Sequence, residues 1–128
     1  MRKHEQVEIE PGISVDYGIA PLIRAVRAVG LITQWSCQGG DGHPAYIVFA
    51  TLADAWQFFT DTTTALVGPY FANDGRAKPE GWLHGIHLSP MYPVDKGDPI
   101  RGAVYFGRGF EYVALQVVTA IWTKGMHA

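Results

Sequence analysis

Residues 31–66 read LITQWSCQGGDGHPAYIVFATLADAWQFFTDTTTAL. Leu31 to Trp35 and Ala45 to Phe49 are rich in β-branched and aromatic residues, which suit a pleated, half-buried surface. Between them lies Ser36-Cys37-Gln38-Gly39-Gly40-Asp41-Gly42-His43, a glycine-rich stretch short enough to close a hairpin. Thr51-Leu52-Ala53-Asp54 is an acidic form of the capping box that opens helices. Leu52, Ala55, Trp56, Phe59, Thr63 and Leu66 then recur at helical spacing. The segment reads as strand, strand, helix, and the rest of the chain is read against that unit.

Upstream, Leu22, Ile23, Val26 and Val29 mark a helix that Pro21 can open and Gly30 can stop. Arg24 and Arg27, three apart, share its outer face. Val7 to Ile9 reads as a short strand closed by Pro11-Gly12. Downstream, Gly68 to Gly81 carries turn chemistry without a regular period. Trp82 to Leu88 alternates as a strand does, and Pro90, Pro93 and Pro99 surround a long turn. Gly102 to Phe106 is a further strand, and Phe110, Val113, Ala114, Val117 and Ile121 mark a closing amphipathic helix. The expected order is β-α-ββα-ββα. Hairpins favour a mostly antiparallel sheet with helices on one face, an α+β two-layer sandwich. We expect one domain over residues 1–128, a length that ordinary single domains have.

Composition narrows the function. Hydrophobic residues make up 48% and charged residues 17% of the chain, enough apolar material for a core and too little charge for disorder. A formal charge of −2 gives no bulk attraction to nucleic acid or an anionic membrane, so any anion site is local. No apolar run is long enough to span a bilayer, and the N-terminus lacks an apolar signal region. The single cysteine, Cys37, excludes an intramolecular disulfide and suits a reducing compartment, which points to the cytoplasm.

Chemistry concentrates in the glycine-rich loop. Gly39, Gly40 and Gly42 let backbone amides approach a guest closely, and successive amides can form a concave anion site. Ser36 adds a hydroxyl, Gln38 an amide and His43 a switchable donor. Among cations, Arg24, Arg27, Arg76, Lys78, Arg101 and Arg108 are candidates for gripping a phosphate or carboxylate, with Arg108 and Arg24 placed in the site. Arg108 sits before the last helix, where the helix field favours anions. Trp35 and Tyr46 flank the loop as possible stacking faces. Cys37 with His43 as its base is the alternative, a thiol enzyme, although only Asp41 offers itself as an orienting group. No metal site is assigned. Cys37, His43, His84 and His87 match no standard zinc spacing, and residues three apart on a strand point to opposite faces. No cofactor is expected.

The stretch APLIRAVRAVGLITQWSCQGGDGHPAYIVF, residues 20–49, resembles a group of short bacterial and phage proteins of unassigned function. In that group a helix precedes a strand ending in Ser-Cys-x-Gly, then a Gly/His loop and an aromatic strand. GFEYVALQVVTAIW, residues 109–122, is similar to their closing helix. The resemblance implies a host-cytoplasmic setting if the chain is phage-encoded, and no particular activity. Ser36-Cys37-Gln38-Gly39 is also similar to the Ser-Cys-Ser-Gly turn of the tRNA wybutosine-synthesis methyltransferase family, which uses S-adenosylmethionine. Gln38 departs from that pattern, and the basic surface of a tRNA enzyme is missing. The leading expectation is a binding protein for a small, anionic, nucleotide-like molecule, in the setting of the resemblance one that sequesters a nucleotide signal. Its site would be drawn from Ser36, Cys37, Gln38, Gly39, Gly40, His43, Arg24, Arg108, Trp35 and Tyr46. The alternatives are a Cys37/His43 enzyme and a protein-interaction module that inhibits a host factor. The surplus of aromatics also suits a homo-oligomer.

Overall fold

The computed structural model describes residues 4–40, 43–70, 85–93, 95–106 and 111–125, with only the backbone considered at 66–70 and 111–114. Among the described residues, three α-helices and two antiparallel sheets make an α+β fold with helices packed on a sheet. The ββα unit stands where the sequence places it. Strand β3 (Thr33–Cys37) and β4 (Ala45–Phe49) form the hairpin, and helix α2 (Leu52–Tyr70) follows. The cap is made as the motif requires, with the Asp54 amide donating to Thr51 Oγ1 at 3.1 Å. Helix α1 (Ala20–Ala28) carries Pro21 in its first turn, and α3 (Glu111–Thr123) is the last described helix. Strands β5 (Ile86–Met91) and β6 (Arg101–Phe106) form the second hairpin, giving a four-stranded sheet in the order β3-β4-β6-β5.

Four details depart from the sequence reading. Pro11-Gly12 does not close a lone strand; it turns the chain between β1 (Gln6–Glu10) and β2 (Ile13–Asp16), a separate two-stranded sheet. Strand β3 starts at Thr33 rather than Leu31. The Leu31 amide still bonds the end of α1 through Val26 O at 3.4 Å, and the Ile32 amide is taken by Asp54 Oδ2 at 2.9 Å. Helix α2 continues through Gly68 and Pro69 to Tyr70, into the stretch read as irregular. Pro90 lies inside β5 rather than in a turn, which is tolerated because β5 is a sheet edge whose missing amide breaks no ladder. The expected strand residues Trp82 to His84 fall outside the described residues, as do Phe71 and Arg108.

The core lies between the sheet and its helices. Ala45, Ile47 and Phe49 of β4 and Val104 and Phe106 of β6 face it and are fully buried. Gly102 faces the same way, and a Cβ there would sit 2.4 Å from Ala55 Cβ, so its bare backbone lets α2 lie close on the sheet. Phe58 of α2 is the hub: it stacks on Trp122 at 5.0 Å, meets Phe106 edge-on at 5.9 Å and touches Phe49 at 5.2 Å. Helix α1 packs mainly on α3, and Arg27 on α1 ties the small sheet in through Glu10 at 2.6 Å and β3 through Thr33 O at 2.9 Å. No helix among the described residues is long and apolar enough to cross a membrane.

Candidate functional site

The helices cover one side of the sheet, and the residues that alternate with the core positions line the other. Cross-strand register sets Cys37, Tyr46, Tyr105 and His87 in one row across all four strands. Trp35, Val48, Ala103 and Ser89 form the next row, with Arg101 and Met91 beyond. The Tyr46 and Tyr105 rings pack at 5.7 Å. The Arg101 guanidinium lies 5.4 Å over the Trp35 ring, yet Trp35 is 48% exposed and keeps free surface. Arg101 Nε is buried without a hydrogen-bond partner among the described residues. A planar aromatic and a cation are thus held together on the sheet face away from the helices, beside the buried Val48 and Ala103.

At the β3 edge of this face three segments converge. His4 precedes β1, Asp16 ends β2 and Cys37 ends β3. His4 Nδ1 donates to Asp16 Oδ2 at 2.8 Å, and Cys37 Sγ lies 4.0 Å from the same Nδ1. Asp16 is further held by the Gln38 amide on Oδ2 at 3.0 Å and by Gln6 Nε2 on Oδ1. The Gly39 amide points at Cys37 Sγ at 3.4 Å. Burial pushes the Cys37 thiol above its ordinary range, and the Asp16 charge adds to this against the Gly39 amide. Tyr46 is pushed up as well, by burial first and then by the charges of Cys37, Tyr105 and Asp16. The thiol is therefore protonated at neutral pH and is not an activated nucleophile by itself.

Among the described residues of the glycine-rich loop, the amides of Gln38, Gly39, Gly40 and His43 are turned to partners within the chain. Gln38 N is spent on Asp16, Gly39 N faces its neighbour's sulfur, and Gly40 and His43 bond each other's backbone at 3.0 and 2.9 Å. A Cβ on Gly39 would meet Ala45 N at 2.6 Å, so the bare glycine makes room for its own chain. The expected cradle of backbone donors is corrected for Gln38, Gly39, Gly40 and His43, while Asp41 and Gly42 lie outside the described residues. Ser36 pairs with Ile47 on the helix-facing side, where its Oγ is buried without a partner. His43 is exposed, and the histidine beside Cys37 is His4, which corrects the Cys37/His43 pairing. Gln38 turns its side chain away from the row and accepts from the Gly18 amide at 2.6 Å. There it lines a groove of about 400 Å³ with Gln116, Thr119 and Thr123 of α3. Arg24 is exposed on α1, while Arg108 lies outside the described residues.

Of the expected site residues, Trp35, Cys37 and Tyr46 share the sheet face away from the helices. Tyr105 and His87 join them through strand alternation, a signal present in the sequence. His4 and Asp16 had no such signal, because only the β1–β2 hairpin brings them to Cys37. The chain matches no family model, no curated protein and no solved structure.

Proposed function

We propose that the protein binds a small, planar, anionic ligand of nucleotide-like chemistry at the exposed Trp35 edge of the sheet face away from the helices. The observation that carries this reading is the Trp35–Arg101 pair: an exposed indole beside a guanidinium whose Nε has no hydrogen-bond partner among the described residues. The indole supplies a stacking surface and the guanidinium a fork for phosphate or carboxylate oxygens. Tyr46 and Tyr105 extend the platform with two hydroxyls. In this reading Arg101, at the start of β6, takes the anion-binding role expected of the loop amides.

Thermal melting against nucleoside phosphates, cyclic nucleotides and the matching phosphate-free nucleosides tests it. A true ligand at 100 times its Kd adds about 2.7 kcal/mol of stability. Stacking on a protein ring is worth about 1–3 kcal/mol per base, so Trp35→Ala weakens the ligand by about 5- to 150-fold. Arg101→Lys weakens the phosphate-bearing compounds selectively, because an ammonium cannot reproduce the fork. A panel in which no compound raises the melting temperature, or binding unchanged in Trp35→Ala, rules the reading out.

A further inference from the structure

We propose that His4, Asp16 and Cys37 form a binding site for a single zinc-class divalent ion, independent of the ligand proposed for the sheet face. Nδ1 of His4, Oδ2 of Asp16 and Sγ of Cys37 come from three separate segments, yet they all lie within 4.8 Å of one another. A relay in which the carboxylate orients a histidine that then serves the thiol needs two ring nitrogens, one for each partner. Here both partners face the same nitrogen, at 2.8 and 4.0 Å. That is convergence on a point, the arrangement that a coordinated ion requires.

The distances are close to those of an occupied site. Zinc bonds of about 2.0–2.3 Å at tetrahedral angles place N and O about 3.4 Å apart, and N and S about 3.5 Å apart. Nδ1 and Oδ2 therefore separate by about half an ångström as the hydrogen bond between them is replaced, and Sγ closes on Nδ1 by a similar amount. The mixed nitrogen, sulfur and oxygen set favours zinc over calcium or magnesium, which take all-oxygen shells. Three protein donors leave a fourth position for water or another small molecule.

The surroundings hold each donor in place. Asp16, whose side chain is only 9% exposed, receives the Gln38 amide on the oxygen that would ligate and Gln6 on the other. The Gly39 amide faces the sulfur and compensates a thiolate there. Such outer contacts orient ligands and are a normal part of metal sites. Proton balance is simple. Binding releases two protons to solvent, one from the Cys37 thiol and one from His4 Nδ1, while a neutral ring takes one back on Nε2.

The test uses the full chain without a histidine tag. Titration with cobalt(II) should give a sulfur-to-cobalt charge-transfer band that saturates at one equivalent, and zinc should bleach it. Zinc should also raise the melting temperature of the wild-type chain. Cys37→Ser should abolish the band, and each of Cys37→Ser and His4→Gln should weaken zinc, measured by chelator competition, by at least about 100-fold. His4 is partly exposed, so His4→Gln keeps the fold and supplies the decisive case if Cys37→Ser or Asp16→Asn does not fold. His43→Gln and His87→Gln should leave zinc affinity as it was. No charge-transfer band in the wild-type chain, or zinc affinity unchanged in folded His4→Gln, overturns the site. Either result leaves the nucleotide measurements on Trp35 and Arg101 standing.

Discussion

Gly39 shows how one position carries a meaning that its neighbours cannot supply. Its φ of +78° lies in the left-handed region, and the space its side chain would need is filled by Ala45 N and His43 O at 2.6 and 3.0 Å. Gly39→Ala adds the left-handed penalty to a backbone clash that cannot relax like a side chain. We expect a loss of about 2–4 kcal/mol, read from the urea midpoint. A loss below 1 kcal/mol would mean that the turn is looser than described. The sequence marked Gly39 as special and mistook the reason. A glycine that lets a guest approach and one that lets its own chain approach look alike in one dimension. Trp35 was legible as a ring beside the loop, but its partner Arg101 follows 66 residues later and only the sheet register joins them.

At the scale of the element, α2 was found from its cap and its period, and its buried face was misassigned. The spacing put Trp56 on the core side, whereas Trp56 is 57% exposed and Phe58 is fully buried. Two stripes compete on this helix. The one that wins contains Thr62 and Asp61, polar residues that disguise it. Thr62 is buried because its Oγ1 accepts from Trp122 Nε1 at 2.8 Å, and Asp61 accepts both contacts from Gln57 at 2.8 Å. Phe58→Ala empties the centre of the aromatic cluster and should cost about 3–5 kcal/mol, while Trp56→Ala should change stability by no more than about 0.5 kcal/mol. Paired urea unfolding of the two variants checks the order, and a larger loss for Trp56→Ala would reverse the assignment of the helix face.

For the whole molecule, the ββα-ββα body was legible because each of its elements carries its own period, cap or turn. The small N-terminal sheet was not. Ile13–Asp16 is four residues long, too short for alternation to stand out, and Pro-Gly reads equally well as a stop or as a hairpin turn. Arg27 joins that sheet to α1 and β3, so the charge once grouped with Arg24 on an outer face is already engaged. Its hydrogen bond, aided by its charge and partly opposed by burial, lowers the Glu10 carboxyl from its ordinary value of 4.5. A depressed native value means that the pair contributes fully above the unfolded value and loses its contribution as pH falls through the native one. The melting-temperature gap between wild type and Glu10→Gln should therefore be constant near neutrality and shrink as the solution is acidified below 4.5. A gap that persists unchanged in acid would show that the pair does not hold the sheet.

The bond from the Gln38 amide to Asp16 spans 22 positions of the chain. Deuterium uptake at Gln38 should thus time the detachment of a hairpin to which it does not belong. If zinc seats beside Asp16, exchange at that single amide will slow.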